Sequence, residues 1–174
     1  MSAVNYFFGA VAAVIAIFGG LLMTVDLSST TSQRPATALG SGAMFDAIAS
    51  NYDRTNKVIS LGSDVGWRKE LVGSLRLERL PQGATILDLA TGTAEVALAL
   101  AGHSATPNVV GVDPSANMLS YGREKVTAAG LDDKISLHQG DAQNLVGYET
   151  DTYDGATMSF GIRNVPDRVA ALKE

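Results

Sequence analysis

Four short stretches carry the residue types needed to hold a nucleoside. The first, ILDLATGTAEV at 86–96, runs from an apolar strand-like segment through Asp88 into a turn of small residues, Thr91, Gly92, Thr93 and Ala94. Such residues leave backbone open to a close ligand. A helix starting near Ala94 would turn its free N–H groups to the same spot. Only one glycine is present where a dinucleotide site has G-x-G-x-x-G, so the match to a pyrophosphate cradle is poor. The loop also reads as a plain strand-to-helix connection. The second stretch, VVGVDPSANML at 109–119, reaches Asp113, about 20 residues beyond that glycine, where an acid accepts hydrogen bonds from both hydroxyls of a ribose. Asp113 or Ser115 can equally cap a helix that opens at Pro114. In the third, QGDAQNL at 139–145, Asp141 can accept from the exocyclic amine of a base while the Ala142 N–H donates to a ring nitrogen; the other reading is an Asx turn. The fourth, MSFGIRNVPD at 158–167, sets Ser159, Phe160, Gly161, Arg163 and Asn164 together. Arg163 also reads as a surface charge and Asn164 as a helix cap.

These stretches make sense together if each follows a strand. Strand candidates fall at 85–89, 108–112, 134–138 and 153–158, and helix candidates at 95–102, 116–129 and 165–173. Short strands alternating with helices imply βαβ units and a parallel sheet covered on both faces. Ligands of such sheets bind beyond the carboxyl ends of the strands, where the strand order switches. Two helices precede the sheet. Phe45, Ile48, Ala49 and Tyr52 lie on one helical face, and Trp67, Leu71 and Leu75 recur every fourth residue in a helix expected over 64–79 and ended by Pro81-Gln82-Gly83.

Composition excludes several classes. The 174 residues carry a formal charge of −5 with no basic stripe, which argues against a nucleic-acid partner. There is no cysteine and only two histidines, His103 and His138, so a disulfide framework, a thiol nucleophile and a metal site are not expected. The amino terminus differs from the rest: 6–25, YFFGAVAAVIAIFGGLLMTV, is 20 residues without a charge, about the ~30 Å a helix needs to span a bilayer. It reads as a transmembrane anchor or a targeting segment. Residues 26–43 are rich in Ser, Thr, Gly and Ala and read as a flexible linker, leaving a folded domain at 44–174.

Over 44–174 the chain resembles the ubiquinone/menaquinone biosynthesis C-methyltransferases, the UbiE family. The resemblance rests on MFDAIASNYDRTNKVISLG at 44–62, WRK at 67–69, ILDLATGT, VVGVDPSANMLSYGREK at 109–125, GDAQNL and SFGIRNV. The first and last are specific to that family; the others are common among class I S-adenosylmethionine-dependent methyltransferases. The resemblance implies a Rossmann-like, doubly wound α/β sheet binding S-adenosyl-L-methionine. Asp88, Gly92 and Thr93 would belong to the cofactor loop, Asp113 would hold the ribose, Asp141 and Ala142 the adenine, and Ser159 would line the methionine side. The helix bearing Phe45 and Tyr52 would cover the pocket. It further implies a lipophilic quinol substrate, methylated at a ring carbon, with Arg163 steadying the phenolate and Asn164 or Tyr52 orienting it. Asp53 is a candidate base or a surface acid.

A membrane location is expected from that substrate, mitochondrial or plastid in a eukaryote and plasma membrane otherwise, and membership of a quinone-biosynthesis complex is a further expectation. Two departures stand out. Ala94-Glu95 replaces the family's Gly-Asp, putting a methyl group near the expected cofactor, and the chain stops at Glu174, so only the first four strands of the family's sheet are expected. A methyltransferase with another acceptor, a non-catalytic membrane-tethered fragment and an NAD-dependent oxidoreductase are the competing readings.

Overall fold

The structure, a computed structural model, describes residues 42–105 and 107–174. The apolar run at 6–25 and most of the linker lie outside the described residues; among the described residues no helix is long and apolar enough to cross a membrane. Two helices come first, α1 (Ala43–Ile59) and α2 (Ser63–Ser74), followed by β1 (Thr85–Leu89), α3 (Glu95–Ala101), β2 (Asn108–Asp113), α4 (Ala116–Ala128), β3 (Ile135–Gln139), β4 (Gly155–Met158) and a single turn, α5 (Arg168–Ala171).

The four strands form one parallel sheet in the order β3-β2-β1-β4. From β1 the chain winds outward through β2 to β3, then returns to the other side of β1 as β4. The order therefore switches between β1 and β4, and a crevice opens there beyond the strand ends. Alternation divides the side chains between two faces. Ile86, Val109, Ile135 and Leu137 pack beneath α3 and α4 with Leu100 and Leu119. Ile86, Leu100 and Leu119 are fully buried, each stabilising the fold by roughly 2 kcal/mol. On the other face Leu87, Leu89 and Val112 meet Ala142, Leu145 and Ala171. This second face is covered by the irregular segment after β3 and by the turn of α5, rather than by the full helix expected over 165–173. The cause is local. Val165, preceding Pro166, is held extended, and Asp167 starts the helix late by accepting hydrogen bonds from Val169 N at 3.0 Å and Ala170 N at 2.9 Å.

The helix expected over 64–79 ends at Ser74. Arg76 adopts a left-handed conformation (φ 49°), and a 3₁₀ turn follows at Leu77–Arg79. The reversal brings Leu77 into the core at 2% exposure, which a continuous helix would not.

Candidate functional site

The cap question at β2 resolves in favour of Ser115. Its Oγ accepts from Met118 N at 3.1 Å and opens α4. Asp113 is thereby left at the strand tip. Its Oδ1 accepts from Ser115 N and its Oδ2 from Gly92 N, both at 2.8 Å, so two backbone donors on different loops fix one carboxylate. Burial raises its pKa above the ordinary carboxylate range against the pull of those two donors, and the nearby Asp46 raises it further.

Around this carboxylate the four strand tips enclose one cavity. Gly92, Asp113, Asp141, Ala142, Ser159 and Asn164 line it, and α1 contributes Phe45 and Tyr52. Their rings meet edge to face, with centroids 6.0 Å apart. Gly92 has φ 56°, and a Cβ built on it would meet no protein atom. A side chain there would strain the backbone while meeting no protein neighbour. At the switch point the packing is tight: a Cβ on Gly161 would lie 2.4 Å from Ala90 Cβ. Ala90 and Phe160, at the tips of β1 and β4, both hold positive φ, 52° and 58°, a strain of a kind that concentrates at ligand sites.

Asp141 forms an Asx turn, the competing reading of the sequence, with Gln143 N donating to Oδ1 at 2.9 Å, and it also faces the cavity. The Gln143 amide spans both carboxylate oxygens at 3.0 Å. Asn164 caps no helix, since Asp167 does so, and it lines the cavity.

Four of the named residues, Asp88, Thr93, Arg163 and Asp53, lie outside the lining. Asp88 is 1% exposed and receives hydrogen bonds from Thr91 Oγ1 and Thr157 Oγ1, both 2.7 Å. It braces the β1 loop from inside. Thr93, 2% exposed, donates to Asp53 Oδ1 at 2.6 Å. Arg163 is exposed, with its guanidinium carbon 5.8 Å from the centroid of the Phe160 ring. Asp53 is no free base: it is ion-paired with Lys125. The methyl of Ala94 is not in the cavity wall either. It packs toward Gly122 on α4, where a Cβ would approach it to 3.3 Å. Met118 and Gln143 line the cavity and were not singled out from the sequence; Gln143 stood within the QGDAQNL stretch, whereas Met118 reads as an ordinary core residue.

The sheet order and a cavity at its switch point define a Rossmann-like α/β fold, and solved methyltransferases share it. A crystal structure from Methanococcus maripaludis, of a candidate S-adenosyl-L-methionine-dependent methyltransferase, shares that fold with a TM-score of 0.62 at 22% identity, over 74% of this chain and 56% of its own. The sequence narrows the class: the model of the ubiE/COQ5 methyltransferase family matches residues 32–174, and the chain belongs to that family. Demethylmenaquinone methyltransferase of Lactiplantibacillus plantarum is 41% identical over 132 residues, 75% of this chain and 54% of the relative. The ubiquinone/menaquinone biosynthesis C-methyltransferase UbiE of Geotalea uraniireducens is 40% identical over the same shares. The chain thus spans about half the length of the curated relatives it matches.

Proposed function

We propose that the cavity binds S-adenosyl-L-methionine and that the chain serves C-methylation of a polyprenylated hydroquinone in ubiquinone/menaquinone-type quinone biosynthesis. One observation carries the cofactor reading. Among the described residues, the charged side chains lining the cavity are two carboxylates, Asp113 and Asp141, set with the aromatic rings of Phe45, Tyr52 and Phe160. Carboxylates at strand tips accept from the ribose hydroxyls and the base amine of an adenosyl group, and π-faces favour a cationic sulfonium. The two phosphates of a dinucleotide would meet like charge and no cation. The names of the family and of its relatives support the reaction and the acceptor class.

In this reading Asp113, already fixed by the Gly92 and Ser115 amides, accepts from the ribose hydroxyls through its remaining lone pairs. Asp141 and the Ala142 N–H take the base edge, with the Gln143 amide giving way or sharing the carboxylate. Gly92 keeps the floor clear, and Ser159 faces the methionine end. The bound cofactor supplies a sulfonium-activated methyl group, so the protein's work is alignment. Asn164 and Tyr52, in the cavity wall, orient the acceptor ring. Arg163 steadies its phenolate from the mouth, and the α1 helix with Phe45 and Tyr52 excludes water. A lipophilic acceptor suits a membrane-associated protein, and we assign the 6–25 run to holding the domain there; vesicle flotation with and without residues 1–25 tests that assignment.

Calorimetry tests the cofactor reading. S-adenosylmethionine and its demethylated product bind and NAD does not, and Asp113→Ala weakens the sulfonium ligand about 30-fold or more, the scale of one or two charge-assisted hydrogen bonds. Equal affinity for NAD, or an unchanged affinity in the variant, overturns it. Transfer of labelled methyl to a demethylated quinol then tests the reaction, with Arg163→Ala lowering turnover while leaving cofactor affinity intact.

A further inference from the structure

We infer that Lys125 is a positioning residue that locks α1 over the cavity. Lys125 lies near the end of α4, and its ammonium meets three different elements. It donates to Asp53 Oδ2 on α1, to Glu95 Oε1 at the start of α3 at 2.6 Å, and to Thr93 Oγ1 in the β1 loop at 3.1 Å. An ammonium has three donors, and all three are used. Thr93 closes the ring by donating to Asp53 Oδ1 at 2.6 Å. Behind Glu95, Arg68 on α2 lies 3.5 Å away and pairs with Asp64 at 2.6 Å.

Position in the chain gives this cluster its consequence. Asp53 directly follows Tyr52, and Thr93 directly follows Gly92; Tyr52 and Gly92 both line the cavity. One cation outside the cavity therefore ties its roof to its floor. The amino-terminal end of α1 has its own anchor, since Asp46 Oδ1 accepts from Ser115 Oγ at 2.5 Å and from Asn117 N at 3.0 Å. At the carboxyl-terminal end Val58 and Ile59 are exposed, and the cap residue Ser60 reaches only α2, donating from Oγ to Asp64 Oδ1 at 2.8 Å. Removing the Lys125 charge would leave Asp53 with no cation and facing Glu95, which keeps only the Arg68 contact at 3.5 Å, and would drive this half of α1 outward about the Asp46 anchor.

The consequence for binding rests on the cofactor reading above; the helix position does not. The test compares Lys125→Met and Lys125→Arg with the parent chain, by amide hydrogen exchange of the ligand-free protein and by calorimetry with S-adenosylmethionine. In Lys125→Met, exchange over 50–59 accelerates about tenfold and affinity falls about tenfold, the scale of one net charge-assisted hydrogen bond, while β1 and β2 exchange as before. Lys125→Arg restores most of both. Unchanged α1 exchange overturns the inference. So does acceleration spread evenly through α1, α3 and β1, which marks a merely structural residue. If the parent chain binds no sulfonium ligand, the cofactor reading fails and the exchange experiment still decides the lock.

Discussion

Asp88 has a cost that depends on pH. Burial raises its pKa to about 6 even though Thr157 and Thr91 donate to it and favour the charged form; nearby Asp113 adds to the rise. An unfolded Asp titrates near ~3.9. The folded chain holds this proton more tightly than the unfolded one, so the stabilisation linked to it is complete below about pH 4 and lost as pH rises through about 6. The group's contribution falls by on the order of 3 kcal/mol across that window. Asp88→Asn keeps the shape and offers both an acceptor and a donor to the two threonine hydroxyls. Denaturant melts at pH 4.5 and 7.5 should show the variant gaining stability at the higher pH and losing the slope between; an equal loss at both would refute the account. Asp113 answers in binding rather than in folding. Its raised pKa means that the charged, ribose-accepting form disappears at a higher pH than for an ordinary aspartate. Affinity for S-adenosylmethionine should decline on acidification at a higher pH than an ordinary aspartate would give, and Asp113→Asn should flatten that decline in a calorimetric pH series. Gly161→Ala should cost about 1–3 kcal/mol through overpacking, because the new Cβ would lie 2.4 Å from Ala90 Cβ and 3.0 Å from Met158 Cγ. Thermal unfolding measures that loss.

Helix α1 is docked on backbone as well as side chains. Gly42, at φ 76°, sits so close to β2's tip that a Cβ would lie 2.6 Å from the carbonyl carbon of Pro114. Gly42→Ala should therefore lift the start of α1, with faster amide exchange over 43–49 and weaker cofactor binding while the sheet core is unchanged. A variant that exchanges like the parent would show that the contact yields freely. Elements of this kind also mark where the sequence could be read. The strands and the acids at their tips were legible because short apolar runs alternating with helical stretches, and followed by Asp113 and Asp141, leave few other arrangements. Helix ends were less so: nothing in Leu75-Arg76-Leu77 announces a left-handed arginine. Side-chain direction was least legible. Thr93 sits in the expected loop but turns to Asp53, and the Ala94 methyl turns to Gly122. Lys125 gave no local signal, since its partner Asp53 lies 72 residues away.

At the scale of the whole sheet, β1 is paired on both sides, whereas among the described residues β4 pairs with β1 alone. An edge strand is a template for a further strand, and curated relatives run to about twice the matched length. The tip of β4 is also a wall of the cavity through Ser159, Phe160 and Gly161. Pairing of any further strand with β4 and occupancy of the site would then be thermodynamically linked: whatever factor that strand contributes to cofactor affinity, the cofactor must return to the pairing.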